Sequence, residues 1–186
     1  LQITAPEALK KATLPQLVQK GIERVLSMQT VSGGFAFWPG ETYENPWGSC
    51  YALHFLLEAS EAGYNVPEYT VENALRYLQE TLPYKKGEGS ITSRFDRGAY
   101  AIYLLSRKKK VDGSTILSYQ QRFEPLFSTE GRAFMAAALF RSGDFQRGRE
   151  LMRRGEGAEG KPNGETFFTP LRRDSLRLFL TEEMGM

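Results

Sequence analysis

The chain has 186 residues, a length that predicts one domain spanning residues 1–186. Its 24 Lys and Arg against 22 Asp and Glu leave a net charge of +2, which gives no case for a nucleic-acid surface. A single cysteine excludes an internal disulfide and a Cys-rich zinc site. No apolar run reaches the roughly 18 residues of a membrane span, and no signal peptide is recognised. Because the chain does not begin with Met, we expect a piece of a longer protein.

Apolar residues recur at helical spacing through most of the chain. Thr13, Asn45 and Asp112 stand where helix caps are expected. Only residues 34–38 and 165–169 look like strands, and residues 155–164 read as a loop. The pattern predicts eight helices, at residues 15–29, 46–62, 67–82, 94–107, 112–123, 129–142, 144–153 and 172–183.

Three of these helices begin with a related pattern of a small residue, an aromatic residue and alanine. The aromatic positions are Tyr51, Tyr100 and Phe134, spaced 49 and 34 residues apart, which suits one helical hairpin each. Small residues let helix backbones approach closely, while amphipathic partner helices cover them. The sequence therefore predicts an all-α protein of α/α hairpins, curved into a solenoid or closed into a toroid.

Cys50 and His54 lie four residues apart and so share one face of the second helix. A thiolate–imidazole pair or a metal site is one interpretation, but each needs further ligands or an orienting group. Cys50 also stands in the repeat position that Ala99 and Ala133 occupy. We therefore expect a small buried residue, with no catalytic, cofactor-binding or metal-binding role for this chain.

Aromatic residues cluster between the first and second helices. Such a cluster can form a ligand platform, but it more often folds over a helical hairpin and seals its end. Gly33 and Gly34 allow the tight turn that this needs. We expect the structural seal to be made by Phe35, Phe37, Trp38, Tyr43 and Trp47.

Two groups of cations are candidates for a partner surface. The run 107–110 ends a predicted helix, where the helix dipole favours cations, and it lacks interleaved aromatic residues. A partner surface is harder to exclude for the arginine-rich tail, which contains Arg147, Arg149, Arg153, Arg154, Arg172 and Arg173. No Ser/His/Asp set, phosphate-binding glycine loop or aspartate-rich motif occurs.

One ordered set of segments has a family counterpart. A helix ending "IERVLSMQ", the turn "VSGGFAFWPG" and a helix opening "WGSCYALHFLLEA" resemble the thioester-containing helical domain of bacterial alpha-2-macroglobulins. Trp47, Tyr51, Phe55 and Leu56 stand where the family's helix carries Trp, Tyr and apolar residues. Later segments, "EAGYNVPEYTVENALRYLQ", "RGAYAIYLLSRKKK", "RAFMAAALFRSGDFQRGREL" and "LRRDSLRLFLTEE", continue the resemblance over nearly the whole chain.

The resemblance implies an α/α toroid, like that of complement thioester domains, within a broad protease inhibitor. In that inhibitor a protease cuts a bait region and is trapped. It implies proteases and neighbouring domains as partners and a periplasmic or extracellular location, with a parent that can be membrane-anchored. The family's thioester joins a Cys and a Gln in a Cys-x-x-Gln motif, whereas Cys50 is followed by Tyr51, Ala52 and Leu53. We therefore expect no thioester in this chain, with any motif upstream of Leu1, and a partial toroid.

Two other classes of function stay open at this level. "KGIERVLSMQTVSGGF" approximates a repeat of terpene cyclases, which are α/α-barrel enzymes, although the aspartate-rich motif of such enzymes is missing. A helical interaction scaffold that uses the arginine-rich tail is the other alternative. Salt-dependent partner binding would distinguish the scaffold, because salt screens a cationic contact.

Overall fold

The computed structural model describes residues 13–82, 91–154 and 169–186, with residues 91–93 described by their backbone alone. These residues form eight α-helices and one short 3-10 helix, and they include no strand. The all-α prediction is confirmed. The helices are α1 (Leu14–Leu26), α2 (Pro46–Glu61), α3 (Glu68–Thr81), α4 (Ile91–Arg107), α5 (Gly113–Phe123), η1 (Glu124–Leu126), α6 (Thr129–Arg141), α7 (Phe145–Arg154) and α8 (Pro170–Glu183).

All eight predicted helices are present, with differences at their ends. Helix α1 stops at Leu26, because Gln29 leaves the helix to pair with Phe35 in an isolated antiparallel bridge. This single bridge is all that the strand-like residues 34–38 form. The predicted loop at residues 155–164, and most of the strand-like piece at 165–169, lie outside the described residues.

The chain folds into two compact units, residues 1–77 and residues 78–186. The single-domain organisation expected from the chain length stays a prediction. Each unit contains buried apolar side chains.

The described part of the first unit contains α1, α2 and the beginning of α3. Asn45 caps α2 as predicted, since its side-chain oxygen accepts a hydrogen bond from the Gly48 N–H at 2.5 Å. Pro46 then occupies the first helical position, where its missing N–H costs nothing. The buried apolar side chains of this unit include Ile22, Phe35, Leu53, Leu56, Leu57, Ala74 and Leu75.

Helix α6 is the most buried element of the second unit. Its small residues allow close packing against α7: a Cβ on Gly148 of α7 would lie only 2.8 Å from the Ala136 carbonyl oxygen. Tyr100 of α4 stacks on Phe134 of α6, with ring centroids 4.0 Å apart. Helix α8 joins α4 through the Tyr103 hydroxyl, which donates to a Glu183 carboxylate oxygen at 2.8 Å.

The three members of the sequence repeat differ in burial. Tyr100 and Phe134 are buried and stack on each other, whereas Tyr51 is half-buried and pairs with Trp47 at 6.0 Å. The small residues before them, Cys50, Ala99 and Ala133, are all buried. The repeat therefore predicts the small buried positions correctly, while the environment of each aromatic ring depends on its neighbours. None of the described helices is both long and apolar enough to cross a membrane.

Candidate functional site

Cys50 and His54 lie one turn apart on α2, as the sequence predicts. The Cys50 side chain is buried, so its sulfur has no open path to solvent. The prediction that Cys50 is a small buried residue is confirmed. The His54 Nε2 atom lies 3.5 Å from a carboxylate oxygen of Glu58, one further turn along α2. Among the described residues, no group of three or more His, Cys, Asp and Glu side chains could hold a metal ion.

The aromatic loop, defined here as residues 30–45, is pinned at its base by Phe35. The Phe35 N–H donates to the Ser49 hydroxyl at 2.8 Å, and the Phe35 carbonyl accepts from the Asn45 N–H at 2.7 Å. The Ser49 hydroxyl donates to the Asn45 carbonyl at 2.8 Å, and the Ala36 N–H donates to the Met28 carbonyl at 2.9 Å. With its ring buried, Phe35 anchors both ends of the loop.

A glutamine and a glycine attach this loop to α3. The Gln29 amide donates to the Gly33 carbonyl at 3.0 Å and to the Thr70 carbonyl at 2.9 Å. Gly33 has a φ of +94°, and a Cβ there would meet the Asn73 backbone, with the carbonyl carbon only 2.8 Å away. The turn therefore requires glycine for two reasons, its backbone conformation and its closeness to α3. The glycine was expected from the sequence, but the Gln29 contacts were not.

The tip of the loop is a turn closed by its own residues, Trp38 to Glu41. Pro39 and Gly40 occupy its centre, and the φ of +85° at Gly40 is the conformation that a type II turn requires. The Glu41 N–H donates to the Trp38 carbonyl at 3.4 Å, and the Glu41 carboxylate accepts from the Trp38 N–H at 3.3 Å. These bonds hold the Trp38 backbone in place without burying its side chain.

The expected aromatic seal is wrong for three of its five members. Only Phe35 is fully buried, and Trp47 is half-buried. Phe37 is 63% exposed, Trp38 is 64% exposed and Tyr43 is 87% exposed. The backbone bonds at the base and the tip already hold the loop, so these rings are not needed to close it.

The two units carry opposite net charges. Residues 1–77 contain five Lys and Arg against eight Glu, a net charge of −3, and residues 78–186 contain 19 cations against 14 anions, a net charge of +5. The aromatic loop has a negative charge like the unit that contains it, since Glu41 and Glu44 are its only charged side chains. The loop therefore carries three exposed aromatic side chains and two glutamates within a short stretch of sequence.

The arginine-rich tail is largely paired within its own unit, which weakens the scaffold alternative. Arg147 pairs with Asp144, and Arg173 lies 2.8 Å from Asp174. The remaining contacts are Arg154 with Glu124 and Glu150, Arg172 with Glu130, and the Arg149 guanidinium over the Phe140 ring at 5.7 Å. These arginines were expected as a possible partner surface, but acidic or aromatic neighbours already occupy most of them.

A buried carboxyl group lies at the start of α6. Asp96 of α4 is 5% exposed, and one of its carboxylate oxygens accepts the Ser128 N–H at 2.9 Å. Burial raises the pKa of Asp96 to about 7, with a smaller contribution from Glu130, against the opposing effects of the Ser128 hydrogen bonds and Arg132. Gly131 leaves room for this group, because a Cβ there would lie 2.8 Å from the Asp96 carboxyl carbon.

A second buried carboxylate, Glu130, joins α6 to α8. One guanidinium nitrogen of Arg172 donates to both oxygens of Glu130, at 2.7 and 2.6 Å. Glu130 is also in the first turn of α6, where the helix dipole favours a negative charge. Asp96, Ser128, Glu130 and Arg172 form what we call the buried carboxylate cluster. Sequence reasoning missed it, although Ser128 followed by Glu130 is a helix-start signal that could have drawn attention to the segment.

The chain is similar to curated bacterial proteins over most of its length. It is 32% identical to alpha-2-macroglobulin of Escherichia coli over 143 residues, which is 73% of this chain and 8% of that protein. The chain thus spans less than a tenth of the length of this relative. No family model matches the chain.

Solved structures of the Escherichia coli protein show the same fold in two states. Native alpha-2-macroglobulin, from domain MG7 to the C-terminus, matches with a TM-score of 0.82 at 26% identity, covering 92% of this chain and 28% of that one. The trypsin-activated protein matches with a TM-score of 0.78 at 26% identity, covering 89% of this chain and 12% of that one.

Proposed function

Since this chain belongs to the bacterial alpha-2-macroglobulin family over most of its length, we propose that it is the helical domain of a broad protease inhibitor. The inhibitor traps proteases after they cut its bait region, and this domain has no catalytic role. The observation that carries the proposal is the sequence similarity to the Escherichia coli protein, together with structural similarity over 92% of the chain. The targets are proteases, reached through the parent protein.

The domain keeps its fold during trapping. It packs against neighbouring domains in the uncut parent and is released when the bait region is cleaved. Support comes from the two Escherichia coli structures, because the chain matches the native and the trypsin-activated protein to similar extents. A domain that unfolded on activation would resemble only one of the two.

The chain itself supplies no thioester. Its one cysteine, Cys50, is buried within α2 and lacks the Cys-x-x-Gln pattern. A covalent bond to the protease, if the parent forms one, uses residues outside this chain. The parent is periplasmic or extracellular, where it meets foreign proteases, and can be membrane-anchored.

The test is protease retention by the full-length parent. The parent is incubated with trypsin, purified by size exclusion, and assayed with a small peptide substrate that still reaches a trapped active site. Trypsin inactivated beforehand at its serine is the control, because it cannot cut the bait region. We expect active trypsin to elute with the cleaved parent and the inactivated enzyme to elute alone. Complete bait cleavage without retained trypsin would show that the parent is not a trap.

A further inference from the structure

We propose that the tip of the aromatic loop, Phe37 to Tyr43, is a docking surface for a Lys- or Arg-bearing segment of another domain of the same parent polypeptide. This inference rests on the proposed function, because it names the contact that the domain makes within the inhibitor. The loop offers the two features that recognise such a cation, namely aromatic faces and carboxylates, on a backbone that is already ordered.

The first step is the exposure of the rings. Three aromatic side chains within seven residues are each more than 60% exposed in the described structure. Single exposed apolar side chains are ordinary on a protein surface, but a group of large aromatic rings typically marks a contact surface. The loop is able to bury an aromatic ring, because Phe35 of the same loop is buried. The exposure of the other three rings is therefore not a property of the whole loop.

The second step is the order of the backbone that presents them. Phe35 fixes the base through Ser49 and Asn45, and the Trp38–Glu41 turn closes on itself. An ordered loop loses little conformational freedom when it binds, so more of the contact energy appears as affinity. The rings are therefore displayed in a form suited to docking.

The third step is the charge of the surface. Glu41 and Glu44 flank Tyr43, and the first unit carries a net charge of −3. A guanidinium or ammonium group binds the face of an aromatic ring, and a carboxylate beside it adds an ion pair. This chain already uses such contacts elsewhere, since the Arg122 guanidinium lies 5.1 Å from the centre of the Phe123 ring.

The fourth step is the source of the partner. The chain spans 8% of the Escherichia coli relative, so most of such an inhibitor lies outside it. A tethered domain reaches the loop at a high effective concentration, which makes a small contact of a few side chains sufficient. A second copy of the parent has no such advantage and is an alternative outcome of the test.

The experiment is photo-crosslinking in the full-length, uncut parent. The variant Phe37→p-benzoylphenylalanine is irradiated, and the crosslinked peptides are identified by mass spectrometry. The control is Leu178→p-benzoylphenylalanine on α8, because Leu178 is 70% exposed but lies outside the aromatic loop. We expect the Phe37 variant, and not the control, to crosslink to a Lys- or Arg-containing peptide from outside these 186 residues.

A second pair of substitutions tests the role of charge. Glu41→Gln and Glu44→Gln each keep an oxygen that accepts the existing hydrogen bond, from the Trp38 N–H and the Ser32 hydroxyl respectively. Adding both to the crosslinking variant should lower the yield at least threefold and remove most of its dependence on salt. Loss of fold is checked by circular dichroism.

Several results would overturn the docking proposal. These are crosslinks to a second copy, crosslinks confined to residues 1–186, a partner peptide without a cation, or no crosslink at all. An unchanged yield in the double Gln variant would also overturn it. Protease retention is measured on the same preparations, so failure of the docking surface in a working trap is distinguishable from failure of the trap itself.

Discussion

The aromatic loop and the buried carboxylate cluster depart from ordinary burial in opposite ways. The loop exposes three large apolar rings, whereas the cluster buries two carboxyl groups, Asp96 and Glu130. Backbone hydrogen bonds and glycines stabilise the loop, so its exposed side chains contribute little to stability. In the cluster the ion pair with Arg172 offsets the cost of burying the Glu130 charge, whereas burial makes Asp96 harder to ionise and raises its pKa. The first region is therefore suited to binding, and the second is suited to holding helices together.

The largest expected effect distinguishes two phenylalanines of the same loop. Phe35→Ala should lower the free energy of unfolding by about 4 kcal/mol, because removal of a buried ring leaves a cavity. Phe37→Ala removes a ring of the same size that is 63% exposed, and it should change stability by less than about 0.5 kcal/mol. Urea unfolding followed by circular dichroism measures both. Similar losses for the two variants would show that Phe37 is packed in solution.

A glycine pair tests how the loop is held to α3. Gly33→Ala should cost about 3 kcal/mol, since it combines a positive φ with a clash against the Asn73 backbone. Gly40→Ala shares the positive φ but meets no atom within 4 Å, so about 1 kcal/mol is expected. Thermal unfolding of the two variants gives the comparison. Equal losses would mean that the approach to Asn73 is not a tight contact.

An ion-pair comparison tests the cluster. Arg172→Met leaves the buried Glu130 carboxylate without its guanidinium partner, and it should lower the free energy of unfolding by roughly 3 kcal/mol. Arg154→Met breaks the exposed contacts with Glu150 and Glu124, for which no measurable change is expected. Urea midpoints report both. A neutral Arg172→Met variant would show that α8 is held by apolar packing alone.

The smallest expected effect is the pH dependence caused by Asp96. Its folded-state pKa of about 7 lies above the ordinary 3.8, so the folded state keeps this proton after the unfolded state has lost it. Stability should therefore fall as the pH rises from about 4 to 7, by about 2 to 3 kcal/mol between pH 5 and pH 8. Asp96→Asn should remove this part of the pH dependence, which urea titrations at several pH values measure. If the stability of the unsubstituted protein does not change between pH 5 and pH 8, Asp96 titrates with an ordinary pKa.

The sequence was enough to place the helices, because their signals are local. The apolar periodicity and the caps at Asn45 and Asp112 predicted helix starts that the structure confirms. The position of Cys50 in a column of small residues also predicted its burial. Each of these inferences uses residues within a few positions of one another along the chain.

The exposure of Trp38 and the burial of Asp96 could not be predicted in this way. Both Phe35 and Trp38 look like core residues in the sequence, and only the folded loop decides that the Phe35 ring is buried while the Trp38 ring is exposed. Asp96 accepts from Ser128, 32 residues away, in a contact that leaves no local signal. The family resemblance, in contrast, was visible in the sequence, because it depends on the order of local segments along the chain.

The amino-acid sequence alone determined the all-α class, the helix positions and the family of this protein, since helix periodicity, capping and motif order are properties of neighbouring residues. Tertiary structure decided which aromatic rings face solvent and which carboxylates are buried. The physical reason is that burial depends on the atoms that surround a side chain from every direction. For Trp38 and Asp96 those atoms are set by the way the chain returns on itself.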